Sequence, residues 1–210
     1  MQKEFVEDAS QTFEDQMEQL LQAMIEQTLV LVKHDGVARS LVGEIIKRFE
    51  TLGLKLCALK MAWADEKLAE NHYKATKEWI KSVAEKTRKG FAERGINLKE
   101  SDEEIAERIR KWNKQYLRER PIVAIVLEGP HAIELIRKLV GHTEPRQALP
   151  GTIRGDFGYE SYALGDYKQR PIRNLVHASS SKEEATREIG LWFRKDEIHS
   201  YSLPNEKNIA

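Results

Sequence analysis

A histidine closes the short apolar segment Asn174-Leu-Val-His177, and Ala178, Ser179 and Ser180 follow it. Small and hydroxyl-bearing neighbours leave an imidazole at a strand end open to a cavity. A neutral imidazole is a good nucleophile at physiological pH. Eleven residues on, Glu188 falls on an expected helix that can turn back and orient the ring, and its charge would stabilise the cation formed on attack. A lone histidine at a strand end is more often structural, so the surrounding cations decide the reading. Lys33 ends an apolar run, Arg137 lies on a helix leading to Gly141-His-Thr143, and Arg154 sits in the Gly-rich stretch Thr152-Ile-Arg-Gly-Asp-Phe157. Each alone reads as a surface charge. Together they offer cations and a threonine hydroxyl on loops able to converge near one histidine. That is equipment for phosphoryl transfer, which consists mainly of positioning and charge neutralisation.

These groups need a scaffold. Phe13, Met17, Leu20 and Met24 recur at helical spacing and predict an amphipathic helix over 9–26. Thr28–Lys33 is short and β-branched, a buried strand ending at Lys33-His-Asp-Gly36. Residues 41–52 return to helical spacing, with Gly53 as C-cap. Leu54, Leu56, Ala58 and Met61 belong to a second strand, with Lys55 and Lys60 solvated. Residues 64–119 read as mostly helical: Ser101-Asp-Glu-Glu104 is a capping box, followed by an Ile105/Ile109/Trp112/Tyr116 stripe that needs an apolar surface to cover. Pro121 opens the strand Ile122–Leu127, a helix covers 131–140, and a Gly/Pro-punctuated loop covers 141–173. Asn174–His177 is a short strand, and Ser181 starts a helix over 181–189. This order predicts an α+β fold, the ferredoxin-like βαββαβ antiparallel sheet with helices on one face, plus a helical insertion and an N-terminal helix.

The bulk numbers narrow the setting. Within 210 residues, 40% hydrophobic and 32% charged, a sizeable core can form. Lys+Arg and Asp+Glu both number 34, so bulk charge favours neither nucleic acid nor an anionic membrane. The single Cys57 excludes an internal disulfide and a Cys-rich zinc site, and its apolar surroundings predict a small buried side chain. The acidic N-terminus does not read as a targeting peptide, and no apolar run approaches the roughly 20 residues of a membrane helix. A cytoplasmic location is expected.

Thr28–Arg48, reading TLVLVKHDGVARSLVGEIIKR, resembles the opening of the nucleoside diphosphate kinases; PGTIRGDF at 150–157, RNLVHAS at 173–179 and EIGLWF at 188–193 resemble their catalytic half. The likeness covers 28–79 and 121–201 in the family's order. It implies a kinase domain over 28–203 with an insertion at 80–119, an N-terminal extension over 1–27 and a tail over 204–210. The implied activity moves the γ-phosphate of a nucleoside triphosphate, mainly ATP, to a nucleoside diphosphate by a ping-pong route. His177 matches the phosphorylated histidine, Glu188 the carboxylate orienting it and Ser179 the hydroxyl beside it. Lys33 and Asn174 match the ligands of the sugar 3′-hydroxyl, Lys33 reaching the phosphates too. Arg137, Thr143 and Arg154 match phosphate ligands, Tyr73 the tyrosine near the terminal phosphate, and Trp79 the aromatic that stacks on the base. The likeness also implies magnesium held by nucleotide phosphates and a hexamer or tetramer.

The chain departs from the family pattern in four places. His34 stands where the family usually has proline, Ser180 where it commonly has aspartate, and the 80–119 and 154–177 stretches are longer than the common form. Both long stretches adjoin the place where the family grips the base. Two rival readings follow the same fold. A partner-binding scaffold would be expected to lose the histidine or a phosphate ligand, yet all are filled. An RNA-binding module would display aromatics on its central strands, and Thr28–Lys33 and Ile122–Leu127 carry none.

Overall fold

The computed structural model describes residues 2–203, and the side chains of 13–203. In chain order the elements are α1 (Gln2–Met24), β1 (Ile25–Val32), α2 (His34–Ala38), α3 (Val42–Thr51), β2 (Lys55–Ala62), α4 (Glu66–His72), α5 (Lys77–Ala92), α6 (Asp102–Arg118), β3 (Ile122–Pro130), α7 (Ala132–Val140), α8 (Ile153–Phe157), α9 (Tyr162–Tyr167), β4 (Val176–Ala178) and α10 (Lys182–Trp192). The four strands run in the order β2-β3-β1-β4, every neighbouring pair antiparallel, which is the ferredoxin-like arrangement expected from the element order.

Alternation along the central strands divides the core. Val30 and Val32 of β1, with Val123, Ile125 and Leu127 of β3, face Ile45 and Phe49 of α3 and Ile136 and Val140 of α7. Leu29, Leu31, Ala124 and Val126 point the other way, against Ala69 of α4, Leu117 of α6, and Ile189 and Trp192 of α10. The crossover helices thus occupy one face as expected. The opposite face is covered as well, by the helical stretch after β2 and by α10. Phe49 is wholly buried, and truncating it to alanine is worth about 3–5 kcal/mol. Cys57 is the small buried side chain expected, sitting at a bulge in β2 where its carbonyl accepts from His199 N at 2.9 Å.

Some expectations shift. The first strand begins at Ile25, and Ile25–Gln27 pair with Pro130–Glu128; Ile25 fits both the helical stripe and a strand, so periodicity could not separate them. Phe13, Met17 and Leu20 remain exposed on α1, so the helix does not bury its stripe against its own core. Lys55 and Lys60 are not free in solvent: they pair with Glu128 at 2.6 Å and Glu197 at 2.8 Å. The 141–173 stretch is not plain loop, because Thr152 caps α8 and Ser161 caps α9. Helices of five or six residues are too short to show a hydrophobic period. The tail over 204–210 lies outside the described residues.

The stretch after β2 is helical, as the capping box required, and both reciprocal bonds between Ser101 and Glu104 are present. Ile105 and Tyr116 are buried beneath α6, while Ile109 and Trp112 are half-buried. Arg110 Nε donates to the Tyr73 carbonyl at 2.8 Å, joining α6 to the segment after α4. Arg94, just past α5, pairs with Asp166 of α9 at 2.9 Å. The two long stretches therefore meet each other.

Candidate active site

His177 pairs with Leu31 across the β4–β1 ladder, which turns its ring toward α4 and α10. The turn after β1 fixes that strand end. Asp35 Oδ2 accepts from Leu175 N at 3.0 Å, and Leu175 O accepts from Lys33 N at 2.8 Å. Leu175 takes a left-handed φ of 68°, a conformation that costs of order 1–3 kcal/mol and persists only where neighbours hold it. Gly36 permits the close approach, since a Cβ there would lie 2.8 Å from Val32 Cγ1.

Behind the histidine, Glu188 is buried on α10. Its Oε2 accepts from His177 Nε2 at 2.8 Å and from the Ser179 hydroxyl at 2.7 Å. Its Oε1 lies 3.3 Å from Arg187 Nη2 and 3.5 Å from His72 Nδ1. Burial alone would push the Glu188 carboxyl up, but the electrostatic pull and hydrogen bond of His177, helped by His72 and the Ser179 hydroxyl, bring it down to about 2. A carboxylate that stays ionised fixes the neutral ring with its proton on Nε2, leaving the lone pair on Nδ1. His72 packs edge-on to His177, ring centroids 4.6 Å apart. Burial, then the His177 charge, lowers its pKa to about 3, so it is a neutral wall.

In front of the histidine lies a cavity of about 940 Å³, whose walls include His177, Lys33, Tyr73, Trp79, Arg137, Thr143, Arg154 and Asn174. Glu188 and Ser179 stand behind His177. Lys33 Nζ donates to Asn174 Oδ1 at 2.8 Å, and Asn174 Nδ2 donates to Thr143 O at 3.0 Å, so the amide joins the lysine to the loop after α7. Burial, then the Arg154 charge, lowers Lys33 to about 8 against the opposing pull of Asp35. Arg154 donates to the carbonyls of Asn174 at 3.1 Å, Gly141 at 2.8 Å and Val176 at 2.6 Å. Its guanidinium is thus a bracket for the site's backbone as well as a charge beside it. Gly155 lets α8 start tightly, since a Cβ there would stand 2.0 Å from Leu149 O. Arg137 is exposed on the cavity wall, and burial followed by the Glu188 charge keeps the Tyr73 phenol protonated.

Two departures from the family pattern have a physical place here. His34 does not face the phosphate ligands; it is buried with its ring 4.1 Å from Tyr116 and Nε2 3.4 Å from Glu119 Oε2, at a separate recess. Ser180 donates through backbone N to Glu184 Oε2 at 2.6 Å, anchoring the start of α10. Sequence reasoning named neither His72 nor Asp35 as part of the site. Asp35 stands in the Lys33-His-Asp-Gly36 turn and His72 just before Tyr73, but their partners Leu175, His177 and Glu188 lie more than 100 residues on and become neighbours only on folding.

The cavity can do one kind of chemistry well. A nucleophilic nitrogen, backed by an ionised carboxylate, opens onto cations arranged for a polyanion.

Comparison with known proteins points the same way. The family model described as Nucleoside diphosphate kinase matches residues 26–91 and 103–198, breaking only over the turn between α5 and α6. The nucleoside diphosphate kinase of Pyrobaculum aerophilum is 45% identical over 179 residues, covering 83% of this chain and 98% of its own. A solved NDP kinase structure from the same organism superposes with a TM-score of 0.80 at 43% identity, over 84% of this chain and all of that one. The Borrelia burgdorferi kinase, solved as a transition-state mimic with vanadate and ADP, gives 0.72 at 36% identity, over 89% and 97%. With the match extending across both halves of the sheet and every wall of the cavity but one turn, this chain belongs to the nucleoside diphosphate kinase family.

Proposed function

We propose that this phosphotransferase carries the phosphate on His177 Nδ1. In the first half-reaction the Nδ1 lone pair attacks the γ-phosphorus of a nucleoside triphosphate, the bond from phosphorus to the β,γ-bridging oxygen breaks, and the diphosphate leaves. In the second, a terminal β-phosphate oxygen of an acceptor diphosphate attacks the phosphohistidine phosphorus and the N–P bond breaks. Glu188 holds the Nε2 proton throughout and offsets the ring's positive charge; Ser179 positions Glu188. Lys33, Arg137, Arg154 and the Thr143 hydroxyl gather the phosphates, Lys33 and Asn174 meet the sugar hydroxyls, the protonated Tyr73 donates toward the terminal phosphate, and Trp79 stacks on the base. The observation that carries this reading is the 2.8 Å bond from His177 Nε2 to a carboxylate held near pKa 2.

Magnesium fits this cavity as a guest of the nucleotide. Its carboxylates, Asp166 and Glu184, are already engaged with Arg94 and Ser180, and the one group of metal donors among the described residues, His72, His177 and Glu188, is the nucleophile with its supports. Bound with the nucleotide, the cation would need no protein cage and would add charge neutralisation to that of Lys33, Arg137 and Arg154, the residues that gather the phosphates. ATP is the expected main donor.

The apolar stripe left exposed on α1, with Leu59 and Met61 exposed along the edge strand β2 and Trp63 just past its end, supports a homo-oligomer, a hexamer or tetramer. No described helix is long and apolar enough to cross a membrane, and a balanced charge supports a cytoplasmic enzyme without nucleic-acid or membrane partners. Initial-rate kinetics test the two-step route. Parallel double-reciprocal lines across fixed acceptor concentrations are expected, and lines intersecting left of the axis would require a direct ternary transfer.

A further inference from the structure

We propose that the helical pair α5–α6 is a wall of the nucleotide site, with Trp112 of α6 a second aromatic platform for the base. This rests on the nucleotide reading of the cavity. The cavity runs from His177 past the phosphate ligands and continues between α5 and α6, where Trp79, Val83, Ile109 and Trp112 form its walls. That end holds the cavity's two indoles with Val83 and Ile109, and Lys86 and Arg94 line it too. The indoles offer flat apolar faces to a base, while Lys33, Arg137 and Arg154 stand with His177 on the wall that would take the phosphates.

Trp112 is held as a platform would be. It is half-buried, and the Arg108 guanidinium carbon lies 5.1 Å from its ring centroid. Arg108 is fixed in turn by two bonds to the Glu100 carboxylate, at 3.1 and 2.8 Å. Arg108 is not among the cavity's wall residues, so the brace stands outside and Trp112 itself meets the space. A braced indole gives up little side-chain freedom on binding, and a cation over one ring face leaves the other for a base. Two bonds keep this wall beside the chemistry: Arg110 to the Tyr73 carbonyl, and Arg94 to Asp166 across the mouth. An exposed helical appendage serving only a partner would need neither.

Stacking reads the face of a base and not its edge, so purine and pyrimidine nucleotides should both benefit. The test compares nucleotides with a substrate lacking a base. For Trp112→Ala, the KM for ADP and for CDP as acceptors should rise about tenfold, the equivalent of 1.4 kcal/mol. Ribose 5-diphosphate should show no comparable rise. Trp112→Phe, which keeps an aromatic face, should recover most of the loss. Equal rises for ADP and ribose 5-diphosphate, or an unchanged KM for ADP in both variants, would overturn the proposal. Loss of folding in the alanine variant passes the decision to Trp112→Leu, which fills the space without an aromatic face: a roughly tenfold rise in KM for ADP but not for ribose 5-diphosphate supports stacking, and an unchanged KM for ADP overturns it. The wild-type phosphoenzyme, assayed beside these, separates the outcomes. Its absence strikes the catalytic reading; its presence with base-independent kinetics strikes only the role of Trp112.

Discussion

Burial moves the Lys33 ammonium down to about 8, the Arg154 charge adding to the effect and Asp35 opposing it. The charged form gathers phosphates, so phosphate binding is fully supported below that value and lost as pH rises through it. The profile of kcat/KM, which reports the free enzyme, should fall on an alkaline limb near pH 8. Lys33→Arg, whose guanidinium stays protonated, should move that limb upward; a limb unmoved by the substitution would assign it elsewhere. Glu188, near 2, remains ionised through the working range and should contribute no acid limb above pH 4. Glu188→Gln keeps the shape but loses the charge facing the ring. It should lower kcat by about 10²-fold, the size of one preorganised electrostatic contact, with less effect on KM. A Glu188→Gln enzyme with full kcat would show that the carboxylate does not stabilise the phosphorylated ring. That His177, Lys33 and Arg154 line one cavity was legible from a strand-end histidine with cations on neighbouring loops, and the place of Asn174 there only from the family resemblance. The bracket role of Arg154 was not, since its three carbonyl partners lie 13 to 22 residues away and become neighbours only on folding.

Where α6 begins was visible in four residues. Ser101 and Glu104 satisfy each other's backbone donors, a local bargain that tertiary structure has no need to override. Ser101→Ala should cost about 1 kcal/mol, read as a drop in melting temperature with kcat little changed. A much larger loss would mean that α6 nucleates the fold around it. Ile105 and Tyr116 are both buried, Tyr116 against His34, and Leu117 carries α6 onto the second face of the sheet, so slow amide exchange through 105–117 follows. Rapid exchange there would contradict the packing. The short helices α8 and α9 were hidden for the opposite reason. Their caps, Thr152 and Ser161, look like ordinary loop residues until the long-range contacts of Arg154 and Glu160 fix the chain around them. Pairing of Lys55 and Lys60 likewise depends on partners more than seventy residues away in the chain, Glu128 and Glu197.

At the scale of the whole molecule, the sheet order followed from element order alone, because two βαβ units leave few antiparallel arrangements. What periodicity could not decide was the destination of an amphipathic face, whether its own core or another chain. The α1 stripe of Phe13, Met17 and Leu20 stays exposed, and a chain beginning at Met24 should keep its turnover per folded site while its sedimentation coefficient or melting temperature falls. Loss of chemistry with the fold intact would place α1 in the active site. All of this geometry converges on one nitrogen, and the most direct measurement is short. The protein is mixed with γ-labelled ATP and magnesium without acceptor, then digested and mapped. Acid-labile, base-stable label on the peptide carrying His177, discharged by added diphosphate and absent from a folded His177→Ala protein, is the predicted result. Steady turnover in His177→Ala, or label on any other residue, would contradict the account at its centre.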